Sequence, residues 1–209
     1  MDDYLSESEQ WDRAKQWLKV NLPWIVAGVV LAVVGLSGWN WWQRHQDQNL
    51  AQAARLYDEM AAAFDKNDSA NVTRLAQQLG REYAGTGYAD HAALVTARMN
   101  VQDGKQVQAV EQLQQLMNST KDPQLALVVR LRLARVQIDQ KKFDEALKTL
   151  AGATPGAFAT RYAEVRGDAL YEKGDREGAL KAYREVLQPG DPTVDTELLT
   201  LKINSLASS

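Results

Sequence analysis

Apolar residues fall into two patterns along this chain. From Trp24 to Trp39 they run almost unbroken, and no charge stands between Lys19 and Arg44. As a helix, the 24 residues between those two charges reach about 36 Å at ~1.5 Å per residue, against ~30 Å for the hydrocarbon core of a bilayer. Trp24 stands at one end and Trp39, Trp41 and Trp42 at the other, where indole rings settle at the two membrane–water interfaces. After Arg44 apolar residues recur at steps of three and four among alanine, glutamine and charge, without alternation of period two. That pattern predicts helices to the end of the chain.

Ahead of the apolar run, Trp11, Ala14, Leu18 and Leu22 share helical spacing, with Trp17 beside them, so residues 1–22 read as an acidic tail and a short amphipathic helix. Pro23 is expected at a kink or at the first turn of the membrane helix. A cleaved signal peptide is a poor reading. The start is acidic, the apolar run is too long, and three tryptophans and an asparagine occupy the place of a small-residue cleavage site. The stretch is read as an uncleaved anchor. Within it Gly28, Ala32 and Gly35 fall on one face at steps of four and three. Such spacing lets a second membrane helix approach, although small residues are common in membrane helices in any case.

Turn signals cut the remainder into about nine helices of 9 to 20 residues: Lys66–Ser69, Ala84–Gly87, Gln102–Gly104, Lys121–Pro123, Gln140–Lys142, Thr154–Gly156, Lys173–Asp175 and Pro189–Pro192. Three of these turns share a spacing. Gly104, Lys141 and Gly174 are each followed five residues later by Ala109, Ala146 and Ala179, and four further on by Leu113, Leu150 and Tyr183. Seven residues before each turn stand Ala97, Ala134 and Gly167. Small residues there let two helices of a hairpin cross closely, and the large one fills the next groove. The spacing matches the tetratricopeptide period of about 34, with a generic helical bundle as the alternative. A first hairpin, 45–65 with 70–83, keeps the helices but loses the spacing. A last helix over 192–206, with Asp191 as N-cap, Pro192 in the first turn and a stripe of Leu198, Leu201 and Leu206, is expected to cap the array. The fold class is therefore all-α: a single N-terminal transmembrane helix, then a tetratricopeptide-like α-solenoid of helical hairpins. The segments are 1–22 (tail), 23–43 (transmembrane helix) and 44–209 (repeat domain).

Charge removes one class of partner. Of 27 acidic and 24 basic residues, 22 and 21 lie beyond residue 43, a net charge of −1. No basic field is available for nucleic acid. The chain has no cysteine, which excludes disulfides, thiol catalysis and thiolate zinc sites. Its two histidines, His45 and His91, have no ligand spacing, and no nucleophile elbow, phosphate loop or nucleotide fingerprint appears. No catalytic, cofactor-binding or metal-binding residue is expected, and the protein is not expected to be an enzyme. Flanking charges place the N-terminus in the cytoplasm by a narrow margin, Arg13, Lys15 and Lys19 against Arg44 and Arg55.

Binding is the better class. The first helix of each hairpin lines a concave groove in such arrays. Projection of the repeat onto the sequence gives His91, Leu94, Arg98 and Val101 for one unit. It gives Val128, Leu131, Arg135 and Ile138 for the next, and Glu164, Asp168 and Tyr171 for the last. A register error of one residue would instead turn the aliphatic members into core.

The chain resembles a known family, the YfgM-type ancillary subunits of the bacterial SecYEG translocon. The resemblance rests on Trp17-Leu18 after the acidic start, on Gly38-Trp39-Asn40-Trp41-Trp42 with His45-Gln46, and on the run Leu131 to Gln137. It continues in Ala146 to Leu150, Arg166 to Leu170 with Lys173-Gly174-Asp175, and Lys202-Ile203-Asn204. It implies a single-pass protein of the Gram-negative inner membrane, with a cytoplasmic tail and a periplasmic repeat domain. The implied partners are the SecYEG translocon, a PpiD-type periplasmic folding factor and exported polypeptides, and no catalytic residue is implied. The leading expectation is an adaptor or chaperone at the translocon. The alternative is a scaffold for another envelope complex or for self-assembly.

Overall fold

The structure, a computed structural model, describes residues 7–187 and 196–207. Among the described residues every regular element is helical. The chain divides into two compact units, 1–52 and 53–209.

The first unit is the body of helix α1, Glu7–Asp65, 59 residues in all. Pro23 lies inside α1. That departs from the expected first turn, because residues 7–22 are already helical. A proline inside a helix forfeits one backbone hydrogen bond, a loss tolerated beside membrane segments where neighbouring groups re-satisfy the freed carbonyl. Nor does a new helix begin after Arg44, since α1 passes through it. The large apolar side chains described along this unit face outward: Trp24 is 79% exposed, Leu31 72% and Leu36 71%. Trp41 stacks on His45 with ring centroids 5.8 Å apart. Among the described helices one is long and apolar enough to cross a membrane, and it is this one.

The second unit pairs residues 53–65 of α1 with α2 (Ser69–Glu82). Three further hairpins follow: α3 (Gly87–Gln102) with α4 (Gln106–Ser119), α5 (Pro123–Asp139) with α6 (Phe143–Ala151), and α7 (Ala159–Lys173) with α8 (Arg176–Leu187). Helix α9 (Thr196–Ala207) closes the array. Each helix ends where the polar, glycine or proline signals place a break. The connections are of two kinds. Within a hairpin the turn is a left-handed residue closed by the same pair of bonds four times. Asn67, Gly104, Lys141 and Gly174 take φ of 56°, 75°, 61° and 95°. Their amides donate to Phe64, Val101, Ile138 and Tyr171, and the next amides donate to Ala63, Asn100, Gln137 and Leu170, all at 2.7–3.1 Å. This is the Schellman closure of a helix C-terminus. Between hairpins, α3 and α5 start on a side-chain cap, whereas α7 follows a short 3-10 turn without one. Thr86 Oγ1 accepts from the Ala89 amide, and Asp122 Oδ1 accepts from the amides of Gln124 and Leu125.

The repeated turn fixes the packing. Ala97, Ala134 and Gly167 on the first helices, and Ala109, Ala146 and Ala179 on the second, are all buried. Leu113, Leu150 and Tyr183 fill the adjoining space at 1–5% exposure. A Cβ added at Gly167 would stand 2.4 Å from Tyr183 Cε1, so the bulkiest filler faces the smallest crossing residue. The first hairpin keeps the register of the turn but not the residue pattern, since the position of the large residue holds the half-buried Ala76. Asn67 lies 37 residues before Gly104, and its equivalents Met60 and Val72 are fully buried. Larger residues hide the register there. Each core joins one hairpin to the first helix of the next, as Leu113 and Leu116 of α4 do with Val129 and Leu133 of α5. Stability is thereby spread along the stack.

Helix α9 packs on the last hairpin through Leu199, Ile203 and Leu206. Leu206 belongs to the expected stripe, but Leu201 is 62% exposed. The buried face follows the 199–203–206 spacing instead, which keeps one helix face. The side chain of Leu198 and the expected cap at Asp191–Pro192 lie outside the described residues.

Candidate functional site

Two concavities in the hairpin unit collect most of the expected binding residues. The first, about 440 Å³, opens between α3 and α5. His91, Leu94, Arg98 and Val101 line it from α3, and Arg132, Arg135, Val136 and Asp139 from α5, with Tyr57 of α1 completing the wall. The second, about 580 Å³, is lined by Ile138, Asp168, Tyr171, Tyr183 and Lys202, among others. A third hollow, on α2, α3 and α4, is lined by polar groups such as Gln77, Asn100 and Gln112. It contains a side-chain chain in which Asn100 donates to Gln112 at 3.1 Å and Gln112 to Thr96. None of the expected residues lies there.

Three of the projected positions do not act as groove surface. Leu131, 7% exposed, lines neither of the two concavities and belongs to the core built by Ala134, Ala146, Leu150 and Tyr162. Val128 and Glu164 line neither one as well, and Glu164 accepts an ion pair from Arg161 at 3.1 Å. Leu94 is buried at 4% and shows the cavity only an edge. For Leu94 and Leu131 the reason is geometric. A position ten residues before the turn points between hairpins, where the next core claims any aliphatic group. In the first hairpin that position is Tyr57, whose ring is long enough to reach the cavity from there. In the anchor, nothing lies within 4 Å of a Cβ added at Gly28 or Gly35, and Ala32 is exposed.

The two concavities differ in charge. In the second, Asp168 accepts from Tyr183 Oη and from Lys202 Nζ, each at 2.7 Å, and the lining as a whole holds three carboxylates, Asp139, Asp168 and Glu172, against Lys141 and Lys202. Burial, then the hydrogen bond and charge of Asp168, push the Tyr183 phenol far above its ordinary value. The first holds three arginines and one aspartate. Arg98 stands 5.8 Å from the ring centre of Phe64. None of Arg98, Arg132 and Arg135 forms an ion pair among the described residues. Burial lowers the Arg132 pKa, and repulsion from Arg98 and Arg135 lowers it further.

Sequence projection missed Tyr57, Arg132, Val136 and Asp139. Tyr57 was within reach, because placing Asn67 on the repeat puts Tyr57 level with Leu94. The other three sit on the flank of α5 that faces α3, which only the hairpin-to-hairpin packing defines. Among the described residues no group of three His, Asp or Glu side chains stands together at metal-binding distance.

Comparison with known proteins agrees with this architecture. The model of the tetratricopeptide repeat-like domain matches residues 15–208. The chain is 32% identical to the ancillary SecYEG translocon subunit of Escherichia coli K12, over 99% of this chain and all of that protein. It is 29% identical to the subunits of the same name from Haemophilus influenzae, over 97% of this chain and 98% of that one, and from Neisseria gonorrhoeae, over 99% and 100%. No solved structure matches the chain. Full-length similarity, the repeat-like domain and the single apolar helix together make this chain a member of the family of ancillary SecYEG translocon subunits.

Proposed function

We propose that the protein is a non-catalytic, membrane-anchored adaptor at the protein-export translocon that links newly exported chains to periplasmic folding factors. Residues 1–22 lie in the cytoplasm, residues 23–43 span the inner membrane, and residues 44–209 stand in the periplasm. The face of Gly28, Ala32 and Gly35 meets a membrane helix of the SecYEG translocon. The concave residues Arg98, Val101, Arg135, Ile138 and Tyr171, with the edges of Leu94, receive exported polypeptide or a PpiD-type folding factor. Leu131 serves through the core that supports them. One observation carries this reading: a helix whose described apolar side chains are exposed is covalently joined to a hairpin array with an open, charged groove. Lipid and other membrane helices supply the partner for the first, and polypeptide suits the second. The names of the relatives support the choice of translocon.

The test is affinity capture of the tagged full chain from detergent-solubilised membranes. Translocon subunits and the folding factor are expected to co-purify, and only self-association without them supports the scaffold reading instead. Protease added to spheroplasts is expected to digest residues beyond the anchor while sparing the N-terminal tail. Full protection of residues 44–209 overturns the topology.

A further inference from the structure

The first concavity gathers like charges, which is unfavourable unless something offsets it. Elsewhere in the hairpin unit, three cations that reach across helices end on carboxylates, Lys173 on Asp144 at 2.6 Å, Lys202 on Asp168 at 2.7 Å, and Arg166 on Glu185, and a fourth, Arg130, donates to the Thr149 carbonyl at 3.1 Å. Arg98, Arg132 and Arg135 do neither among the described residues, although the whole chain carries a net charge of −3. They converge on a hollow with apolar walls from Tyr57, Val101 and Val136. Guanidinium groups present paired donors that match a carboxylate, and they stay charged at any physiological pH. The volume, about 440 Å³, is in the range of small-ligand pockets, room for a few side chains of a docked segment.

We propose that this cavity is a receptor for an acidic, extended polypeptide segment. The segment places carboxylates against Arg98, Arg132 and Arg135, and an intervening aliphatic or aromatic side chain against the apolar wall. The inference rests on the groove reading above and gives the chemistry of its occupant. A slot between two helices admits a single chain and excludes the flat face of a lipid bilayer, so polypeptide is favoured over anionic headgroups. Charge sets selectivity and salt dependence, while the apolar wall sets residence.

The experiment uses the full chain in neutral detergent micelles and three labelled twelve-residue peptides, read by fluorescence anisotropy. One alternates Glu with Leu, the second has Gln for each Glu, and the third has Lys. The acidic peptide is expected to bind at least about tenfold more tightly than the Gln peptide, equivalent to about 1.4 kcal/mol, and the Lys peptide not at all. The preference should shrink steeply as salt is raised to ~0.5 M, where the screening length falls to a few ångströms. Arg98→Gln with Arg135→Gln should abolish the preference, and Lys148→Gln on α6 should leave it intact. If the glutamine pair alters the circular dichroism spectrum, Arg98→Lys with Arg135→Lys takes its place. That pair keeps the charge, loses the paired donors, and should reduce the preference in part. Equal binding of the acidic and Gln peptides overturns the proposal. So does a preference that survives both arginine pairs, or competition by anionic but not neutral vesicles. Translocon co-purification separates the two readings. If it fails while acid selectivity holds, the adaptor reading falls and the receptor stands; the reverse result removes only the receptor.

Discussion

The anchor and the hairpins use the same apolar residues in opposite ways. In the first unit Leu31 and Leu36 are more than two-thirds exposed, whereas Leu133 in α5 is 1% exposed. Both segments are helical, and both are rich in Leu, Val and Ala. What separates them is the period. In the anchor every face is apolar, so no arrangement of one helix hides it from water. In the hairpins one stripe is apolar and the neighbouring helix covers it. Helix formation is thus common to both, and the environment each requires differs.

The largest effects should follow that division. Leu133→Ala empties a core position shared by two hairpins, and should lower the unfolding free energy by about 2–5 kcal/mol. Leu31→Ala should leave it unchanged, since Leu31 touches no core. Chemical denaturation of the detergent-solubilised chain measures both, and equal losses at the two sites would break the comparison. Leu31→Arg should instead act on insertion. A charge at the centre of a membrane helix costs about 2.5–3.5 kcal/mol on insertion scales. The variant should therefore shift from the membrane to the soluble fraction on cell fractionation.

A smaller effect sharpens the view of how the hairpins are held. Gly167→Ala puts a methyl group into the ring of Tyr183, which is buried and held by Asp168 at 2.7 Å. Overpacking of this kind costs about 1–3 kcal/mol. The other two repeats cross with Ala and fill with Leu, so adding Tyr183→Leu to Gly167→Ala should recover part of the loss. Thermal denaturation of the single and double variants reads this, and no recovery would deny that the two positions are matched in size.

Several of these features were legible in the sequence and others were not, for physical reasons. The turns and the crossing residues depend on local chemistry, namely glycine, proline and small side chains, and that signal is written in residue types. The register of the first hairpin is not, because Asn67 replaces glycine at the left-handed position and Met60 and Val72 replace alanine. Whether Pro23 starts a helix or is absorbed by one depends on whether residues 7–22 join it, which propensity does not decide. The arginine cluster was half legible. Arg98 and Arg135 follow from the repeat, but Arg132 enters the cavity only because α5 turns that flank toward α3. Packing between hairpins is set by contacts between separate helices, such as Leu113 of α4 with Val129 of α5, and no local period encodes it.

The repeated turn offers a finer probe. Lys141 takes φ of 61° where Gly104 and Gly174 stand in the equivalent turns. A side chain in this region is strained by about 1–2 kcal/mol, partly offset because glycine gains freedom in the unfolded chain. Lys141→Gly should therefore stabilise the hairpin unit by about 0.5–1 kcal/mol, while Gly174→Lys should destabilise it. Changes of the same sign in the two would mean that the four turns are not equivalent.

The smallest effect is electrostatic and sits where the first hairpin turns. Asp68 caps α2, accepting from the Asn71 amide at 3.1 Å and from its side-chain amide at 2.6 Å. The backbone bond first, then the side-chain bond, hold its carboxyl below the ordinary value of 3.8. A carboxylate with a folded pKa below its unfolded one binds its proton more readily when unfolded, so it adds stability above 3.8 and loses it as pH falls through the lower folded value. The anchor can contribute nothing comparable, because no charge stands between Lys19 and Arg44. Asp68→Asn keeps an acceptor for the Asn71 amide but cannot titrate. Its stability relative to the parent should be lowest near neutral pH and should rise toward parity as pH falls below 3.8 and through the lower folded value, where the parent loses its charge. Melting temperatures of both proteins across that range read the difference, and a gap independent of pH would mean that the charge of Asp68 does not hold the turn.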